Sequence, residues 1–129
     1  MSFRTTAIIT ATVTFALGCG YILVGDLVVG RWQIQLTDGV ILLGKRIGAL
    51  YLGLSVMYFL ARSAPVSVAR TALSTGTAIA LSVLVLLGVF ELTAGHAGPG
   101  ILVSAAIEFA LAIAYIRILF TERRAAVDG

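Results

Sequence analysis

Glu108 lies in "SAAIEFALAIAY" as the sole acid of an apolar or small-residue run from Gly100 to Phe120, and Lys45 and Arg46 stand side by side in "LLGKRIGALYLG". An ionised side chain near the middle of a bilayer costs about 2.5–3.5 kcal/mol on insertion scales, so such groups are expected to be paired or used. Arg46 comes six residues after Val40 and Glu108 seven after Ile101, about 9–11 Å along a helix in each case at about 1.5 Å per residue. On two parallel helices they would be level and natural partners. Asp38 and Glu91, at the neighbouring helix ends, bring further carboxylates to the same side. Three readings of this group stand: interfacial anchoring by Lys45 and Arg46 of a shorter span beginning near Ile47, a structural Arg46–Glu108 pair, or an intramembrane site for an ion, a proton or an anionic ligand.

Helical geometry divides the candidates by face. Arg46 shares its face with Leu50, Gly53 and Met57, while Lys45 points about a quarter-turn away and can snorkel to the headgroups on its flexible stem. Gly44, Gly48, Tyr51, Ser55, Tyr58 and Arg62 form the opposite stripe. Glu108 shares a stripe with Ser104, Ala105, Ala112 and Tyr115. One face of the second helix is expected to meet the bundle, and the other a ligand or a second protomer. Gly44 with Gly48, and Ala49 with Gly53, keep the small-residue spacing that lets helix backbones approach in lipid. Ala7, Ala11, Thr14, Gly18 and Gly25 do the same in the first run, as do Ala106, Ala110 and Ala114 in the last.

Catalytic and metal chemistry find no comparable set. His96 sits in a glycine-rich loop without a second His, a Cys or a spaced carboxylate, so it reads as a solvated loop residue rather than a metal ligand. No phosphate-binding glycine loop, nucleophile elbow or haem attachment motif is present. The chain is therefore read as non-enzymatic, with no metal and no identified cofactor, a quinone or another lipid-like ligand being left open. Cys19 is the only cysteine, which excludes a disulfide within the chain.

The elements that would carry these residues follow from composition. Of 129 residues, 60% are hydrophobic and 12% charged, with a mean hydropathy of +1.08, against roughly 25% charged residues in a soluble domain. Apolar runs extend from Thr5 to about Val24, from Val40 to Ala61, from Val68 to Phe90 and from Ile101 to Phe120. Each is long enough to cross the hydrocarbon, which takes about 20 residues, and bare backbone in lipid must be helical. The expectation is an all-α membrane protein, a single domain over residues 1–129, with four transmembrane helices in an up-down bundle. Pro65 and Pro99 mark two of the connections. The longest connection, "GDLVVGRWQIQLTDG", suits an interfacial strand-like segment or short helix with Trp32 at headgroup depth. Arg4 ahead of an apolar run and "ALGC" at 16–19 loosely imitate a lipoprotein signal, but Ala16 stands where leucine is expected, and the segment is read as a retained span.

Lys and Arg fall six on the side of the amino terminus, the second connection and the tail, against three on the other, which orients both termini to the cytoplasm. The net charge of +3 is dispersed, with no basic run interleaved with aromatics, so nucleic acid is not an expected partner.

"KRIGALYLGLSVMYFLAR", residues 45–62, resembles the small four-helix bacterial membrane proteins grouped as DoxX-like, with a cation before a Gly-containing turn and a closing arginine. The resemblance extends over most of the chain in topology. It implies accessory subunits linked to oxidases or quinones, or proteins without a known role, and brings no catalytic residue with it. The expected function is that of a multi-pass inner-membrane accessory or interaction subunit, in contact with the bilayer and with another membrane protein or its own copies. The alternative is a small transporter or ligand-binding protein that uses Arg46 and Glu108.

Overall fold

The computed structural model describes residues 2–127. Five helices follow one another: α1 (Phe3–Leu23), α2 (Gly25–Gly30), α3 (Asp38–Ala61), α4 (Val68–Thr93) and α5 (Ile101–Val127). α1, α3, α4 and α5 are each long and apolar enough to cross a membrane, and no strand occurs among the described residues. The chain has the makings of a small multi-pass membrane protein.

Local chemistry sets the helix ends. Ser2, Thr37 and Ser67 are N-caps whose hydroxyls accept from the Thr5, Val40 and Arg70 amides, satisfying donors that the first turn leaves unpaired. α4 ends in a Schellman motif: the His96 amide donates to the Glu91 carbonyl at 3.0 Å and the Gly95 amide to Leu92 at 3.1 Å. Gly95 takes φ +76°, a conformation that glycine adopts without steric cost.

The elements differ from the sequence reading in three places. The apolar run after α1 breaks at Val24 (φ −138°, ψ 42°) and restarts as the six-residue α2, so the first half of the long connection is helical and residues 34–37 are irregular. α3 and α4 each extend two to three residues past the expected runs. α5 continues seven residues beyond Phe120, because Thr121, Glu122, Arg123 and Arg124 remain good helix material once the chain leaves an apolar environment.

The long helices pack in two pairs, α1 with α3 and α4 with α5, joined by a smaller contact between α1 and α5. The α1–α3 approach is closest where two glycines meet. A Cβ on Gly48 would lie 2.9 Å from the Gly18 carbonyl oxygen and 2.9 Å from Tyr21 Cβ, and one on Gly18 would lie 2.8 Å from Leu52. A continuous buried cluster of Phe3, Ala7, Ala11, Tyr58, Ala78, Tyr115 and Ile118 joins all four long helices. Its hydroxyls are arranged in sequence. Thr10 donates to the Thr6 carbonyl and Thr77 to Leu73, which leaves the Tyr115 hydroxyl to donate to Thr10 (2.9 Å) and the Tyr58 hydroxyl to donate to Thr77. The two tyrosine rings lie 6.0 Å apart.

Candidate functional site

The rotation of α3 determines which of its faces meets the rest of the molecule. Gly44, Gly48, Ser55 and Tyr58 are buried, and the Ser55 hydroxyl donates to the Ala11 carbonyl on α1 at 2.8 Å. Arg46 is about 200° around the helix from both glycines at about 100° per residue, and it is exposed, as is Lys45. Neither cation forms an ion pair among the described residues. The expected Arg46–Glu108 contact is therefore not made: the close Gly18–Gly48 approach turns the Arg46 face away from α1. Gly53, expected to aid packing, is exposed with open space around it. Glu91 is paired with a neighbour that the sequence reading had left solvated, since the His96 ring Nδ1 lies 2.9 Å from its Oε2 and both groups are well exposed. The Schellman turn at Gly95 brings them together.

Glu108 has different company. On α5 its face carries Ala105, Ala112 and Tyr115, all buried, so the acid belongs to the packed side of the helix and is itself half-buried. Ala106 and Ala110 are exposed, so the small-residue face expected there is not the packed one, although Ala114 is buried. Among the described residues Glu108 has no side-chain hydrogen bond and no cation partner. It lies within electrostatic reach of the Tyr21 and Tyr51 phenols. Those two rings stack with centroids 6.0 Å apart and planes 12° apart, and Trp32 meets Tyr21 edge-on at 6.4 Å.

The fold brings these aromatics together for local reasons. Tyr21 fits against the bare backbone of Gly44 and Gly48, a position that side chains there would occupy. Tyr51 lies three residues past Gly48, on the same side of α3. Trp32 is carried by the connection after α2, which is held by the Gly98 amide donating to the Trp32 carbonyl at 2.6 Å. The sequence reading included Tyr51 in a stripe and set Trp32 at the interface, and it did not single out Tyr21. The available signal was the register of Tyr21 three residues after Gly18, opposite the Gly44–Gly48 pair.

Chemically, the group offers one carboxylate without a cation among the described residues, within electrostatic reach of two tyrosine rings. Both features attract positive charge: the carboxylate by Coulomb attraction and the rings through their quadrupoles, at about 0.5–2 kcal/mol per ring. No cluster of three or more His, Cys, Asp or Glu suited to a metal occurs among the described residues. No family model, curated protein or solved structure matches the chain.

Proposed function

We propose that the chain is a small inner-membrane protein that binds a lipophilic organic cation in its outer half, with Glu108 as counter-charge and Tyr21 and Tyr51 as aromatic walls. In this reading the four long helices run up and down through the bilayer with both termini cytoplasmic, in accord with the Lys/Arg bias. The observation that carries the proposal is Glu108 itself: a half-buried acid on the packed face of a long apolar helix, without a cation partner among the described residues and within electrostatic reach of a stacked tyrosine pair. An intramembrane carboxylate is expensive to retain unless a positive charge visits it.

Trp32 is the only tryptophan of the chain and touches Tyr21, so its emission reports on this site. Titrating the protein in lipid nanodiscs with tetraphenylphosphonium should give a saturable change in Trp32 emission. Glu108→Gln should weaken the apparent affinity by about tenfold or more, the loss of one charge interaction of about 1.4 kcal/mol, and Glu108→Asp by less. Equal affinity in all three proteins would remove the proposal.

A second reading, the accessory subunit, is favoured by Arg46. It is exposed eight residues into α3, about 12 Å from the helix start, where an acid on a neighbouring membrane protein would compensate it. Site-specific photo-crosslinking from position 46 in native membranes should then yield a protein adduct that is lost from position 79, on the exposed face of α4; adducts to lipid alone would speak against it.

A further inference from the structure

A cavity of about 680 Å³ opens where the start of α1, the start of α4 and the end of α5 come together; Glu108 does not line it. Its walls include Arg70, Arg117 and Arg124, with Glu122 as the only acid among the described residues. That acid is already engaged: Arg70 forms an ion pair with Glu122, donates from Nη1 to the Ala64 carbonyl at 2.8 Å, and holds its guanidinium 4.2 Å from the centre of the Phe3 ring. The pair is largely buried, with side-chain exposures of 16% and 14%. Arg70 Nε and Glu122 Oε2 are nevertheless buried without a partner, as is the Ser74 hydroxyl one turn further along α4. Arg117 and Arg124 have no acidic partner among the described residues.

Spacing makes the two arginines act on one point. Arg117, Thr121 and Arg124 follow one another at i, i+4 and i+7, so they form one stripe of α5 with a hydroxyl between two guanidinium groups. Guanidinium forks match the oxygens of a phosphate group, and a phosphate between them would take up the charge that Glu122 leaves unbalanced. Phe3, Ile118 and Phe120 add an apolar wall, and Ser2 also lines the cavity. Free phosphate has no use for such a wall, whereas a phospholipid places glycerol and the first acyl carbons directly beside its phosphate. The position suits this too, since the cavity lies at the ends of spanning helices, where headgroups are found. Its volume falls within the usual range of about 300–1,000 Å³ for small-ligand sites.

We propose that this cavity is a binding site for the phosphodiester headgroup of an anionic phospholipid, with Arg117 and Arg124 holding the phosphate and the Arg70–Glu122 pair fixing the back wall; the Thr121 hydroxyl between the two arginines already donates to the Arg117 carbonyl at 2.9 Å. A headgroup with its own ammonium, as in phosphatidylcholine, finds no free acid among the described residues to receive it.

The test compares lipid retention by native mass spectrometry for the full chain extracted from vesicles of phosphatidylglycerol and phosphatidylcholine. The double variant Arg117→Gln/Arg124→Gln is set against Arg4→Gln/Arg123→Gln, which removes the same charge from exposed positions outside the cavity. Circular dichroism establishes that both are folded. Phosphatidylglycerol should be retained by the unaltered chain and by the control, and retention should drop about tenfold or more in the cavity variant, given about 1 kcal/mol for each arginine near a headgroup. Inorganic phosphate at millimolar concentration should not displace the lipid. Equal losses in the two variants, equal retention of phosphatidylcholine, or displacement by inorganic phosphate would each overturn the assignment.

Discussion

Gly48 and Gly53 lie five residues apart on α3 and have opposite surroundings. Gly48 faces the Gly18 backbone and Tyr21 at distances that leave no room for a methyl group, while Gly53 has open space. Gly48→Ala should therefore destabilise the protein by about 1–3 kcal/mol, the usual cost of overpacking, whereas Gly53→Ala should stay within about 0.5 kcal/mol of the parent. Denaturant unfolding in mixed micelles, followed by Trp32 emission, measures both. The sequence showed the two stripes of α3 but not which one packs. Arg46 and the Gly44–Gly48 pair each offered a plausible inner face, and only the fit of Tyr21 against the glycines decides between them. Glu108 was legible as an anomaly because one acid in an apolar run needs no partner to be noticed. Its aromatic neighbours were not, since Tyr21 and Tyr51 come from two other helices and their contact depends on that rotation.

The four long helices could be read from hydrophobic runs with ends correct to a few residues, because the length needed to cross hydrocarbon is a strong constraint. The short helix α2 is one of the two forms open to the long connection, whereas the extension of α5 was missed because it lies where hydropathy falls and that constraint no longer applies. The Arg70–Glu122 pair was also overlooked, although one residue opens α4 and the other closes α5, the geometry of a helical hairpin. What joins the two helix pairs is more specific than apolar burial. Tyr115 has no exposed surface and donates to Thr10 on α1, with Tyr58 of α3 beside it. Tyr115→Phe keeps the ring and removes that bond, so it should cost about 0.6–1.7 kcal/mol, the range measured for hydrogen bonds between spanning helices. The same unfolding assay reads it, and an unchanged midpoint would mean that the ring alone holds the junction.

The molecule as a whole separates two kinds of charge. Among the described residues Glu108 stands without a cation partner, and Arg117 and Arg124 of the cavity stand without an acidic one near the end of α5. Phe3 and Ile118 lie in one buried cluster, and the Trp32–Gly98 bond joins the two connections that follow α2 and α4. The proposed up-down crossing with both termini cytoplasmic is tested by accessibility from the two sides. With Cys19 replaced by Ser, single cysteines at positions 35 and 96 should react with an impermeant maleimide added to intact spheroplasts, and one at position 66 should react only after lysis. The central claim, that Glu108 rather than the Arg46 face holds the ligand, is tested most directly by the number of tetraphenylphosphonium ions bound per chain in equilibrium dialysis of nanodiscs. The account predicts one saturable site of equal affinity in the unaltered chain and in Arg46→Gln, weakened about tenfold or more in Glu108→Gln; an unweakened site in Glu108→Gln, or one that disappears in Arg46→Gln, would contradict it.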